Sequence, residues 1–406
     1  MTLYLPERIL VAPSGFKESL SAVEVSDSIA AGVRRVLPGV RVDTFPVPDG
    51  GEGTLEILNS RSGTLLHTEQ VIGPVGKEVT AQWLEYVDEG VGVIEMAQAA
   101  GLSLVPRDQR DPTATTTYGV GQLIARMLDH GINHIIIGCG DSGTSDGGAG
   151  ALSALGARIL DDSGAEVTPG GRGLSAAVKI DTTKLHPKLI DASLTLACNI
   201  HNVLTGKNGV AAVFGPQKGA TKKQVKQLSR ALEQWATLLD HTFSPAADLH
   251  RGPGSGASGG LGAGLMALGA VARDRFDVLL SDLPTPTDLD GLISTSDLII
   301  TAEGAIDFQT PRGKVPAEVA RRARVTGVPV LALAGSLGKG APQVHDVGIG
   351  AIQSIMTVPM AMEDAVRDGS ELLTDAAERA IRLLMLGCAV SGRREDHIRS
   401  HFQAAA

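Results

Sequence analysis

Four glycine-rich segments carry residue types that could do group-transfer chemistry. The first holds Ser14, Lys17 and Glu18, and the second Asp49 and Glu52 within PDGGEG. The third holds Asp141, Ser142, Thr144, Ser145 and Asp146, and the fourth Glu303, Asp307 and Lys314. Phosphoryl transfer needs this inventory: carboxylates hold Mg2+ on a nucleotide, cations neutralise the transferring oxygens, and a further carboxylate takes the acceptor hydroxyl's proton. Glycines between Gly138 and Gly150 let backbone amides approach an anion, and the helix expected after them adds its positive end. Plainer readings stand beside these. Asp146 next to glycine suits a helix cap or turn, Asp49 can shape its own turn, and Lys17 and Lys314 can be solvated lysines. Glu303 follows an apolar strand, where an unpaired carboxylate is costly, so a functional partner is expected.

The elements around these segments explain why they matter. Arg8 to Ala12 and Val40 to Val47 read as strands that stop at the first two segments, and Ser21 to Val36 has helical spacing. From His67 to Met96 short alternating runs indicate antiparallel strands. His134 to Gly138 reads as a buried strand feeding the third segment, Leu194 to Asn199 as another, and Lys222 to Leu239 as an amphipathic helix. The run from Gly252 to Gly264 leads into an apolar helix and is expected to be close-packed or functional, not a free linker. Strand-loop-helix units follow, with strands at Asp297 to Ala302, Val328 to Ala334 and Ala351 to Ile355. The simplest assembly is α/β in two domains: residues 1–48 with 265–406 form a doubly wound parallel sheet, and 49–264 form an inserted mixed α/β domain. Ligands in such sheets bind beyond the carboxyl ends of strands, where all four segments lie. The acids fall on both domains, so domain closure is expected to bring them together.

Composition excludes several classes. At 406 residues, with 43% hydrophobic and 20% charged residues, the chain is globular, and its length suits two domains at roughly 150 residues each. A net charge of -9 and only 3% aromatic residues argue against nucleic acid as a partner. The start shows no leader pattern and no apolar run spans a bilayer, so a cytoplasmic protein without a membrane partner is expected. Cys139, Cys198 and Cys388 are far apart and read as reduced, mostly buried thiols. His397 and His401, four apart in a basic tail, and His130 and His134, beside a turn at Gly131, have no further ligands near them in sequence and read as solvated. There is no GxxxxGK[ST]. GCGDSG matches GxGxxG and GTSDG matches GxSxG by letter, but no ribose-binding acid and no triad histidine for Ser145 accompanies them.

Taken together, APSGFKESLSA, VPDGGEGT, GCGDSGTSDGGAGAL, NGVAAVFGPQKGA and TAEGAIDFQTPRGKVP resemble the glycerate kinase family of bacterial glyoxylate and sugar-acid breakdown. The resemblance implies a flavodoxin-like part with an inserted domain. It also implies ATP-dependent phosphorylation of a small-molecule substrate, D-glycerate, usually at the 2-hydroxyl to give 2-phosphoglycerate. The pattern departs at Ser14 and Gly15, where the family commonly has Asp-Ser, at Asn199 for Asp, at Ala305 for Arg, and at Asp141 for Gly. The preferred reading is that Asp141 takes over from a lost acid. On this basis Asp146, Asp141 and Lys17 are the expected catalytic groups. Ser14, Ser142, Thr144, Gly147, Gly148, Asn199 and Lys314 are expected to bind substrate or phosphate, and Asp49, Glu52, Glu303 and Asp307 to hold Mg2+. Alternatives are a kinase for a related hydroxy acid or polyol, since GCGD resembles the GxGD of ribokinase-like enzymes, and a non-catalytic ligand-binding descendant. The oligomeric state stays open, a homodimer included.

Overall fold

A computed structural model describes residues 5–17, 19–60, 63–284 and 288–404, with side chains to residue 391. Glu18 and the side chains of His397 and His401 lie outside the described residues. In chain order the strands are β1 (Arg8–Val11), β2 (Arg41–Thr44), β3 (Thr64–Ile72), β4 (Glu78–Tyr86), β5 (Val91–Glu95), β6 (His134–Gly138) and β7 (Arg158–Leu160). They continue with β8 (Lys179–Asp181), β9 (Ser193–Cys198), β10 (Val271–Asp274), β11 (Leu298–Ile306), β12 (Val330–Leu337) and β13 (Ile349–Ser354). The chain divides into one unit of Met1–Val47 with Thr285–Ala406 and a second of Pro48–Pro284.

The first unit holds a parallel sheet in the order β13-β12-β11-β1-β2. Ile9, Leu10 and Val11 are all fully buried, which fits the continuous apolar runs of a sheet covered on both faces. The helix Ala22–Val36 starts at a capping box, where the Glu24 amide donates to Ser21 and the Ser21 amide donates to the Glu24 carboxylate at 2.8 Å. Its buried face of Val25, Ile29 and Val33 has helical spacing. This helix packs against the long helix Gly369–Ala404 so closely that a Cβ on Gly32 would sit 2.2 Å from the Thr374 carbonyl oxygen. Gly32→Ala is therefore expected to lower the unfolding free energy by about 1–3 kcal/mol in a urea titration.

The second unit holds a six-stranded sheet in the order β10-β9-β6-β5-β4-β3. β3, β4 and β5 are antiparallel neighbours, while β5, β6, β9 and β10 run parallel. β7 and β8 form a separate hairpin. The return to the first unit differs from the expected residue 265, because β10 adds a strand to β9 and keeps 265–284 with the second unit. The helix Ala257–Ala267 also starts earlier than expected. It is interrupted by left-handed backbone at Ser258 to Gly260, and all its residues are buried. Cys198 is buried as expected, whereas Cys139 and Cys388 are partly exposed, and none of the three forms a disulfide among the described residues. Among the described residues no helix is long and apolar enough to cross a membrane.

Candidate active site

The four parallel strands of the second unit end together, and their carboxyl ends lead into Glu95, Cys139 to Asp141, Asn199 and Arg275. The segment from Asp49 to Gly53 lies against these ends, with the Gly140 amide donating to the Gly50 carbonyl at 2.9 Å. Only glycine allows this approach, since a Cβ on Gly140 would be 2.3 Å from the Gly51 Cα. Three amides of the incoming chain each donate to a carboxylate: Gly51 to Asp49 (2.9 Å), Glu52 to Asp141 (3.1 Å) and Leu55 to Glu95 (2.5 Å). Ser103 donates to the Glu52 carboxylate at 2.5 Å, and the Arg275 guanidinium lies 3.9 Å from Asp49.

Negative charge is thereby concentrated. Burial pushes the Glu95 carboxyl up to about 7, and the charges of Asp49 and Glu52 push it the same way. Such a cluster of hard oxygen donors fits Mg2+. Among the described residues, the acids do not close into a three-ligand cage; the one set of three ligand atoms within 4.8 Å of one another is His67, Glu85 and His130. That also fits Mg2+, which is commonly held by one or two carboxylates together with substrate phosphates. Asp141 has a φ of 51°, left-handed backbone that is rare outside glycine.

The glycine-rich loop is organised differently from the expectation. Asp146 has no exposed surface, and its carboxylate accepts from the Thr117 amide (2.8 Å) and hydroxyl (2.9 Å) and from the Gly148 and Gly150 amides (both 3.1 Å). Burial raises its pKa against the opposing hydrogen bonds. Gly147 donates to Gly259 and accepts from the Trp235 indole at 2.9 Å. Asp146, expected as the base, is thus an acceptor for the start of the helix Ala149–Ala154, and of the two glycines expected to cradle an anion, Gly148 donates to Asp146 while Gly147 is held by Gly259 and Trp235. An asparagine in this position would turn its amide group towards backbone donors. Asp146→Asn is accordingly expected to cost about 1–3 kcal/mol of stability by urea unfolding, with turnover falling only as the loop loosens. Unchanged stability with abolished turnover would restore the base.

Lys218 is the residue that sequence reasoning missed here. It comes from the FGPQKGA block, is 3% exposed, and donates to the Ser142 hydroxyl (2.8 Å) and the Thr144 carbonyl (2.6 Å). Burial pulls its ammonium down to about 7, and the Asp146 charge opposes that fall. Thr144 and Ser145 are fully buried, and neither hydroxyl has a hydrogen-bond partner among the described residues. Asn199 accepts from the His201 amide at 3.0 Å. Glu95 and Arg275 were missed as well. Glu95 carried a visible signal, an acid ending an apolar strand, the criterion that singled out Glu303.

In the first unit, the Ser14 amide and hydroxyl both reach the Ala302 carbonyl, at 3.0 and 3.1 Å. Glu303 pairs with Lys314 at 2.7 Å and accepts from the Thr310 hydroxyl at 3.2 Å. Asp307 accepts from the Gln309 amide at 2.8 Å, and Lys17 is exposed. Glu303 is thus partnered, as the cost of burying a lone carboxylate requires.

Residues 9–385 match the model of the glycerate kinase family. The chain belongs to the glycerate kinase family. It is 40% identical over 370 residues to a glycerate kinase of Halalkalibacterium halodurans, covering 91% of this chain and 96% of that one. It is 39% identical over 386 residues to the glycerate 2-kinase of Escherichia coli, covering 95% and 100%. A solved structure described as glycerate kinase 2 from Salmonella typhimurium superposes with a TM-score of 0.73 at 40% identity, covering 94% of this chain and 99% of that one. Family membership makes the chain an enzyme of the kinase class and agrees with the α/β architecture. The glycerate kinase family thus accounts for the ordered motifs, with Lys218 inside one of the most distinctive of them.

Proposed function

We propose that this enzyme transfers the γ-phosphoryl group of ATP to the 2-hydroxyl of D-glycerate, giving 2-phosphoglycerate. The observation that carries the reading is the set of carboxylates, Asp49, Glu52, Glu95 and Asp141, gathered at the carboxyl ends of four parallel strands beside a loop tied down by a buried lysine. Asp49 and Glu52 are the residues that would hold Mg2+, which would supply charge neutralisation on the nucleotide phosphates. Asp141, half-buried and held by the Glu52 amide, is the group assigned to accept the substrate hydroxyl's proton. Arg275, which lies 3.9 Å from Asp49, takes the part of a clamp for the substrate carboxylate. Lys218 acts through Ser142 and Thr144 as a positioning residue, and Asn199 stays with it on the substrate side. In the first unit, Ser14, Lys17 and Lys314 are assigned to nucleotide phosphate, with Glu303 orienting Lys314 and Asp307 shaping the following turn.

ADP release measured with D-glycerate, tartronate, erythronate and simple polyols tests the acceptor. The highest kcat/KM is expected with D-glycerate. A preference for a polyol would move the assignment to a sugar-kinase-like activity, and no ADP with any acceptor would make the chain a ligand-binding relative.

A further inference from the structure

We propose that the second unit carries a transition-metal site, separate from the kinase residues, formed by His67, Glu85 and His130, with Zn2+ as the ion its ligands suit best. Spacing along the sequence hid it, because the three residues come from two strands and a helix. The antiparallel register pairs His67 with Trp83, so Glu85, two residues further along β4, stands on the same face as a diagonal neighbour. The helix Tyr118–His130 runs beside β3: Gln122 accepts from the Ile72 amide at 2.7 Å, and Arg126 lies 3.9 Å from Glu69. This alignment delivers His130, the last helical residue before Gly131, to the two strand residues.

The geometry suits an ion. His67 Nε2 is 2.7 Å and His130 Nε2 is 3.6 Å from the same Glu85 oxygen, and all three ligand atoms lie within 4.8 Å of one another. Tetrahedral ligands on bonds of about 2.0–2.1 Å are separated by roughly 3.4 Å, inside that spread. The Trp83 ring stacks on His67 with centroids 3.8 Å apart and planes within 8°, which fixes the imidazole plane. His67 and Glu85 are largely buried, whereas half of the His130 side chain is exposed. The arrangement therefore offers three protein ligands and a solvent-facing fourth position. Two imidazoles and one carboxylate favour Zn2+ over Mg2+, and the carbonyl end of the helix favours a cation. His134, on β6, takes no part.

The test is Zn2+ titration of the chelator-stripped full chain against a fluorescent zinc indicator, with Mg2+ in large excess to occupy hard-oxygen sites. One equivalent per chain is expected for the unaltered protein. His130→Ala, which removes a half-exposed side chain, and Glu85→Gln are expected to weaken binding at least about 100-fold, since outer-shell changes alone cost roughly 10–100-fold. Co2+ in place of Zn2+ is expected to give the visible absorption of a four-coordinate site, and His130→Ala to abolish it while the circular dichroism melt is retained. No stoichiometric Zn2+ binding in excess Mg2+, or equal binding by His130→Ala, would overturn the proposal and leave a histidine–glutamate ion pair.

Discussion

Asp49→Asn is expected to lower kcat for glycerate phosphorylation by about 10³-fold, on the order of 4 kcal/mol of transition-state stabilisation. The change keeps the size of the side chain and can retain an oxygen for the Gly51 amide, now accepted by Asp49 at 2.9 Å. What is lost is the charge that sits 3.9 Å from Arg275 and that raises Glu95. The Asp49 side chain is 31% exposed, so the fold should tolerate the substitution, and an unchanged melt would separate lost chemistry from lost structure. A second signature follows from Glu95. With less negative charge nearby, its pKa should fall below about 7 in Asp49→Asn, read by the carboxyl signal in difference infrared spectra.

Lys218→Met is expected to lower kcat/KM by about 10²–10³-fold, the range seen when one preorganised electrostatic group is removed. The methionine fills similar space without a buried charge, so stability should change by no more than about 1–3 kcal/mol from the two lost hydrogen bonds. The pH profile identifies the role. The ammonium is lost as pH rises through about 7, so kcat/KM for an anionic acceptor should decline above that pH in the parent enzyme and stay flat in Lys218→Met. Stability should move the other way. Between about 7 and the ordinary lysine value of ~10.4 the unfolded chain binds more protons than the folded one, so the parent gains stability with rising pH. Lys218→Met should lack that gain. A lysine that merely fills space would shift the stability profile alone and leave the pH dependence of kcat/KM unmoved.

The loops were legible in the sequence because strands and their ends are local features. Apolar runs at His134 to Gly138 and Leu194 to Asn199, stopping at glycine or polar residues, placed the third segment and Asn199 at strand ends, where the structure has them. Arg275 was not legible, since β10 is four residues of mixed polarity whose strand state comes from pairing with β9. The same pairing moved the return to the first unit from 265 to 285. The letters around Asp146 suit a base and a loop anchor equally. The difference is made by Thr117, 29 residues away in sequence, whose amide and hydroxyl fill its oxygens. Lys218 carries no local signal in the sequence, since only tertiary packing buries it. His67, Glu85 and His130 likewise converge only through strand register and helix placement.

The most direct test of the central claim couples the enzyme, with MgATP and D-glycerate, to enolase alone and follows phosphoenolpyruvate. Transfer to the 2-hydroxyl predicts immediate phosphoenolpyruvate formation at the rate of ADP release. A signal that appears only after phosphoglycerate mutase is added would contradict it, by showing that the 3-hydroxyl is the acceptor.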